Sequence, residues 1–454
     1  MIHDISLFWF RQDLRIHDNT ALEQCLRESR QILPFFIFDT AILQLFGANS
    51  VAVGFLVECI IQLDEQLRAI GSYLLVVMGD STQIVPELIQ QYHSTGLYHN
   101  RSYGLGGMYR DTIISEYCKE HEIWLVVCDD FLLVEPNAIA PKKVFTPWYK
   151  WRQQVTKKPL GAGVPEHITS PSIQITPLKE IISQIPHISS ALRPADGGRK
   201  RLERLDIDHY HLTRNTPSLD GTSQLSPYIR FGVLSIREVY YHAIGNTSND
   251  QIPLLWEGVA AFVSELAWRE FWQHVMHYRP DTRYLEFQEK RRGIWRKSDD
   301  TLLHAWQTGT TGYPIVDAGM RQLQQTGWLH GRVRMIVASF LTKDLHIDWR
   351  IGEQRFAQHL VDYDSNVNTG NRQWSASVGA DPKPLRIFSP ILQSQRFDPQ
   401  AEYIIQRVPE LRGKPLAAIH DPLTHILEYH PTIVDHRIRT KEARDMYRNT
   451  FSPS

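Results

Sequence analysis

The sequence predicts an α/β domain with a doubly wound, parallel, Rossmann-like sheet, followed by an all-α domain. Three observations carry this. Short β-rich apolar runs alternate with helix-length stretches as far as Val127. A segment from Val155 to Gly198 is then punctuated by Pro159, Pro165, Pro171, Pro177, Pro186 and Pro194. From Arg199 onward helical periodicity dominates and β-rich alternation fades.

The expected strands are Ile5–Phe10, Ile32–Phe38, Tyr73–Val77, Leu97–Asn100 and Trp124–Val127. Helices are expected at Ala21–Glu28, Val51–Ala69, Thr82–Tyr92 and Met108–Glu120. The first strand runs into Arg11-Gln-Asp-Leu-Arg15 rather than GxGxxG, and Gly104-Leu-Gly-Gly107 has the wrong spacing, so no nicotinamide cofactor is placed here. The domains expected are 1–154, a linker at 155–198 that wanders over the surface, and 199–454. Most of the 12 tryptophans lie from Trp256 onward, which points to the helical part for stacking or electron transfer.

Composition sets outer limits. Hydrophobic content of 42% and charged content of 22% describe a soluble globular chain with room for a large core. A formal net charge of −1 gives no global pull on nucleic acid, so a DNA site must be a local basic patch. Cys25, Cys59, Cys118 and Cys128 form no CxxC, which argues against a zinc site or disulfide framework and for a reducing, cytoplasmic setting. No segment is long and apolar enough to span a membrane, and the start lacks a signal peptide's basic end and cleavage site.

Four stretches carry chemistry. In Asp362-Tyr-Asp-Ser-Asn-Val-Asn-Thr-Gly-Asn-Arg-Gln-Trp374, paired carboxylates, an amide and an aromatic ring precede Lys383 and Arg386 on a proline-broken chain. That set fits an organic cofactor beside a polyanion; it also reads as an acidic helix end running into a loop. Gly221-Thr-Ser-Gln-Leu-Ser226 offers hydroxyls and backbone donors to an anion, or an ordinary helix cap. Trp256–Tyr278 reads as one helix with Glu265, Trp268, Arg269 and Trp272 at i, i+3, i+4 and i+7, while Phe262 and Leu266 point elsewhere. Aromatic stripes are usually core, but a carboxylate and a guanidinium on the same stripe need partners. Gly312–Arg321 begins a helix ending near Thr326-Gly327, with Asp317 and Arg321 spaced as a surface pair, and Trp328–Met335 begins the next. HExxH, EF-hand, Walker A and GxSxG patterns are absent, His330 reads as a structural hydrogen-bonder, and no metal is assigned.

From Leu7-Phe-Trp-Phe-Arg-Gln-Asp-Leu-Arg-Ile-His-Asp-Asn19 to Ile433-Val-Asp-His436 the chain resembles the photolyase/cryptochrome family, closest to its class I cyclobutane-pyrimidine-dimer photolyases. The resemblance implies that the helical domain binds FAD, reduced in the active form, and uses light to repair pyrimidine dimers in damaged DNA, as a monomer. It places Thr222, Ser223, Gln224, Leu225 and Ser226 at the FAD pyrophosphate, and Tyr210, Arg269, Tyr363, Asp364 and Asn368 elsewhere on the cofactor. Arg334 is paired with Asp362 beside the isoalloxazine. Glu265 hydrogen-bonds the damaged base, Trp268 and Trp374 stack on it, and Arg214, Arg332, Lys383 and Arg386 meet DNA. Trp349 and Trp295 match the outer members of an electron-carrying tryptophan chain.

Three departures stand out. Arg372 occupies the place of the flavin-proximal tryptophan, so photoreduction by that route is expected to be slow or rerouted. Gly331 replaces an asparagine that usually contacts the lesion. The run Asn100-Arg-Ser-Tyr103 lacks the usual acidic residue, which counts against folate as antenna and leaves the choice between folate and deazaflavin open. Phe145-Thr-Pro-Trp-Tyr-Lys150 matches the segment that closes the family's first domain. The rival readings are a cryptochrome-type photosensor, a pyrimidine–pyrimidone repair enzyme and a light-independent FAD or nucleotide-binding module.

Overall fold

The computed structural model describes residues 2–47, 50–188, 195–245, 257–295, 297–381, 383, 385–425 and 428–449. The chain divides into two compact units. Unit 1 comprises residues 1–139, 152–205 and 223–252, and unit 2 comprises 140–151, 206–222 and 253–454.

Unit 1 is built on five parallel strands: β1 (His3–Phe10), β2 (Ser29–Asp39), β3 (Leu75–Gly79), β4 (Gly96–Asn100) and β5 (Trp124–Cys128). Their order is β3-β2-β1-β4-β5, so the winding reverses between β1 and β4. Helices α1 (Thr20–Glu28), α2 (Thr40–Phe46), α3 (Val51–Ala69), α4 (Ser81–Gln91) and α5 (Leu105–Glu120) connect them. Leu7, Phe8, Trp9 and Phe10 are all buried, as a central strand covered on both faces requires.

The proline-rich segment does not wander. Backbone bonds run from Asp18 to Ala162 (2.7 Å), from Ile32 to Thr169 (2.9 Å) and from Ile168 to Ile70 (3.0 Å), and Ile168 is buried. The prolines leave it short helix only, as at Leu178–Ile182, and elsewhere the Ala162 and Thr169 carbonyls accept and the Ile168 amide donates within the unit. Arg15, Asp18, Asp130 and Arg237 form a buried cluster here: Arg237 reaches Asp18 at 2.8 Å and Asp130 at 2.7 Å, and Arg15 contacts Asp130 as well.

The remaining helices are α6 (Phe145–Gln154), α7 (Leu178–Ile182), α8 (Ala195–Arg204), α9 (Tyr210–Thr213), α10 (Ser226–Arg230), α11 (Ile236–Ala243), α12 (Glu257–Tyr278), α13 (Asp300–Thr308), α14 (Pro314–Thr326), α15 (Gly331–Ser339), α16 (Trp349–His359), α17 (Ser365–Ser375), α18 (Pro390–Phe397), α19 (Glu402–Arg407), α20 (Leu416–His420) and α21 (His436–Asn449). Unit 2 is helical throughout its described residues and is organised around α12 and α17. Gly370 allows that packing: a Cβ there would lie 2.4 Å from two ring atoms of Trp272. As expected, α14 ends at Thr326, with Gly327 in the left-handed region at φ 67°.

The Asp317–Arg321 surface pair is not found. Asp317 is fully buried and accepts from Thr311 N (2.7 Å), Thr311 Oγ1 (2.6 Å), Gly312 N (3.1 Å) and the Tyr429 hydroxyl (3.0 Å), while Arg321 pairs with Glu410 at 2.5 Å. The turn before α14 leaves buried amides that need an acceptor, and Asp317 supplies it.

Candidate flavin and lesion site

The stretch Asp362–Trp374 becomes a loop and the helix α17. Asp364 is its N-cap, accepting from Asn366 N (3.0 Å) and Val367 N (3.1 Å). Gln273 on α12 donates to the other Asp364 oxygen at 2.9 Å and accepts from the Asn366 amide at 2.7 Å. Asp362 is instead committed to Arg334 on α15, whose Nη2 lies 2.8 Å and 3.1 Å from its two oxygens. Arg334 Nε donates to the Leu329 carbonyl at 2.7 Å, so the guanidinium is fixed in orientation.

Around this pair lies a network that sequence reasoning missed. Arg283 binds Glu353 (2.9 Å), the Tyr363 hydroxyl (3.0 Å) and Thr369, and Tyr363 also donates to Glu353 (2.7 Å). Burial beside the Glu353 charge pushes the Tyr363 phenol far up, so it acts only as a neutral donor. Nothing in the spacing of Arg283 and Glu353 signals this, because the partners are 70 residues apart.

Asn368 is buried; its amide donates to the Glu353 carbonyl (3.4 Å), and its oxygen accepts from Arg372 Nε (3.4 Å). Arg372 itself points inward. It is 5% exposed, its Cζ sits 3.5 Å from the centroid of Phe356, and its Nη1 has no hydrogen-bond partner. The His330 side chain caps α15 through Arg332 N at 3.1 Å, while its Nε2 is buried and unpartnered. Burial and the adjacent Arg332 and Arg334 charges lower the His330 pKa to about 4, so the ring is neutral at pH 7.

On α12 the stripe runs from surface to core. Glu265 is exposed and ion-paired with Arg214, Trp268 and Arg269 are half-buried, and Trp272 is buried with its Nε1 donating to Asn371 (3.1 Å). Phe145 lies flat on Trp268, with centroids 3.7 Å apart and planes inclined by 5°. The sequence carries no sign of that partner, since Phe145–Lys150 resembles a segment of the first domain. Tyr210 is buried edge-on to Phe262 at 5.3 Å. Thr222 falls in unit 2 and is half-buried, whereas Ser223, Gln224, Leu225 and Ser226 fall in unit 1. Gln224 adopts φ 49°, and Ser226 opens the single-turn α10.

Of the cationic residues, Arg332 donates to Asn215 (2.7 Å) and lies 4.2 Å from the Phe397 centroid, while burial and the charges of Arg214 and Arg396 lower its pKa to about 10. Lys383 is exposed. Arg386 is not a free cation: Asp381 holds it through two contacts, one of 2.9 Å, and its Cζ lies 4.5 Å over the Trp374 ring. Trp295 and Trp349 donate to the same Glu286 oxygen, at 2.7 Å and 3.3 Å, and pack in one cluster with Tyr447. Among the described residues no His/Cys/Asp/Glu group is arranged to hold a metal, and no helix is long and apolar enough to cross a membrane.

Residues 262–449 match the family model for the FAD binding domain of DNA photolyase, and residues 6–166 match that for DNA photolyase. The chain belongs to the DNA photolyase family. A deoxyribodipyrimidine photo-lyase of Synechococcus sp. is 37% identical, with 97% of this chain and 96% of that protein covered. The Escherichia coli deoxyribodipyrimidine photo-lyase is 34% identical, with 96% of each covered. An archaeal photolyase from Sulfolobus tokodaii, solved with two FAD molecules, superposes with a TM-score of 0.86 at 32% identity, covering 98% of this chain and all of that one. A Synechocystis cryptochrome superposes with a TM-score of 0.88 at 26% identity, covering 98% and 99%. These relatives bear out the family expected from sequence, the α/β-plus-helical fold, FAD as cofactor and photolyase as the enzyme class.

The donor set in unit 2 suits a flavin. A polar ring edge needs fixed donors and an acceptor. Arg334, Asp362 and Asn368 are groups that could supply them, and the unpartnered Arg372 Nη1 is a buried donor that the protein itself does not use.

Proposed function

We propose that this chain repairs cyclobutane pyrimidine dimers in DNA under blue light. The observation that carries the reading is on α12: the exposed Glu265–Arg214 ion pair lies one turn from Trp268, a large half-buried ring. FAD held in its reduced form would supply light-driven electron transfer to the cyclobutane ring.

The protein's part is binding, orientation and charge. Arg214, Arg332 and Lys383 meet phosphates around the lesion, giving affinity that falls with salt and ignores sequence. As Arg214 turns to phosphate, Glu265 loses its internal partner and is free to accept from the pyrimidine edge. The dimer leaves the stack and rests on Trp268 and Trp374, at about 1–3 kcal/mol per base. Phe145 holds Trp268 from the opposite face. Arg386 reaches phosphate only by giving up Asp381, so its first task is to steady Trp374. Within unit 2, Arg334, Asp362, Tyr363, Asp364, Asn368, Arg269 and Tyr210 orient the flavin, and Thr222 meets its pyrophosphate.

The carboxyl ends of β1 and β4 offer a place for an antenna chromophore. Arg11 is paired there with Asp111 at 2.5 Å, and Arg110 lies 4.5 Å over Trp9. The Sulfolobus photolyase solved with two FAD molecules adds a flavin to folate and deazaflavin as a candidate antenna.

The deciding experiment mixes the reduced, FAD-loaded chain with a thymine-dimer oligonucleotide in blue light and in darkness. Intact thymines should return only in light. Dimers that persist under light, with the flavin still photoactive, overturn repair in favour of the photosensor that the cryptochrome likeness allows.

A further inference from the structure

We propose that Arg372 is a fixed cationic partner for the anionic, reduced form of the flavin, so that this side chain sets the protonation and redox preference of the cofactor. The inference rests on the flavin reading of unit 2.

Its basis is an unmatched buried charge. Arg372 is nine-tenths buried or more, its Nη1 has no hydrogen-bond partner, and among the described residues no carboxylate lies within ion-pair distance of it. The charges facing it are accounted for element by element. From α15 comes Arg334, which repels it. From α16 comes Glu353, which attracts it but already holds Arg283 and the Tyr363 hydroxyl. From the loop before α17, Asp362 is spent on Arg334, and Asp364 on the amides of α17 and on Gln273. Phe356 covers one face of the guanidinium, and Asn368 takes only Nε. Burial and the Arg334 charge lower its pKa to about 9, which still leaves it protonated at neutral pH.

Burying a cation without a partner is costly, so a chain that keeps one has an anion to meet. Asn368 and Arg372 are one turn apart on α17 and bonded to each other, and Arg372 is near enough to Arg334 to feel its charge, on the side of unit 2 where the flavin is proposed to lie. Two electrons from an added reductant such as dithionite, with one proton taken up from solvent rather than two, would leave the ring a negative charge that completes the missing ion pair. A neutral oxidised ring gains less, so the same cation favours reduction.

The test measures the midpoint potential of bound FAD from pH 5 to pH 7 in the full chain. The wild type should take up one proton per two electrons, a tenfold change per pH unit or about 29.6 mV. Arg372→Met should take up two, and at pH 7 should favour reduction about a hundredfold less, about 59 mV lower. Arg372→Lys, keeping the charge, should follow the wild type. Two protons per two electrons in the wild type would overturn the proposal without recourse to any variant. So would equal potentials and slopes in wild type and Met variant at equal FAD occupancy. A wild-type chain that binds no FAD refutes the flavin reading itself, and the proposal with it.

Discussion

Replacing Gly370 by Ala tests the packing that places α17 against α12. On an exposed helix the change would stabilise, since glycine costs about 1 kcal/mol relative to alanine in a helix interior. Here the new Cβ would lie 2.4 Å from Trp272 Cδ2 and Cε3 and 2.8 Å from Cγ. The indole has little freedom to retreat: it is buried, and its Nε1 is held by Asn371. Overpacking of a core costs about 1–3 kcal/mol, and contact with a rigid ring belongs at the upper end. Subtracting the propensity gain leaves a net loss of about 1–2 kcal/mol. The assay is urea unfolding without added flavin, read by tryptophan fluorescence, with midpoints compared at unchanged slope. Gly331→Ala is the matched control, because a Cβ there meets nothing within 4 Å; it should be neutral or slightly stabilising. A Gly370→Ala protein as stable as the wild type would refute the reasoning.

The same open space at Gly331 admits Gly331→Asn, which should tighten binding to a dimer-containing oligonucleotide about fivefold, for about 1 kcal/mol of hydrogen bonding, and leave undamaged DNA unaffected. Arg214→Ala should reduce the slope of log affinity against log salt by about 0.9, one phosphate contact, in filter binding or fluorescence titration. In unit 1, Asp130→Asn strips a carboxylate from Arg15 and Arg237 and should cost about 3–5 kcal/mol. Those guanidiniums hold the Asp130 carboxyl well below its ordinary range against the pull of burial. Its contribution is therefore full above the unfolded value of 3.8 and is lost as pH falls through the folded one. Acid titration should thus weaken the wild type more than Asp130→Asn. Under illumination with a thiol donor, the oxidised chain should reduce slowly and indifferently to Trp349→Phe; fast reduction that Trp349→Phe abolishes would restore the tryptophan route.

The parallel sheet was legible because strands covered on both faces become near-continuous apolar runs, and all five lie within a few residues of expectation. The first helix-like stretches were equally clear, since α1 carries its Asn19 cap and α3 a long apolar run in the chain itself. Legibility failed wherever a polar group's partner is remote in sequence. Asp317 and Arg321 look like a surface pair because i,i+4 spacing is visible, while Thr311 and Tyr429, which bury the carboxylate, carry no such signature. The prolines of 155–198 signalled broken helix correctly, but a broken helix is compatible with close packing as well as with a loose tether. Phe145 on Trp268 and Glu286 between Trp295 and Trp349 belong to the same class.

Within the most suggestive stretch, structure also separates residues that the fold needs from residues that it does not. Asp364 would be kept at the head of α17 with no ligand at all, because a helix N-terminus wants an acceptor there. Gly370 is explained by Trp272, and Asp362 by Arg334. A paired carboxylate therefore says less about a cofactor than it appears to in the sequence. Arg372 is the reverse case. It caps no helix with its side chain, and Phe356 and Asn368 return only part of the cost of burying its charge. Residues that fold and stability leave unexplained are the ones to weigh most heavily when a site is read, and on α17 that residue is a cation.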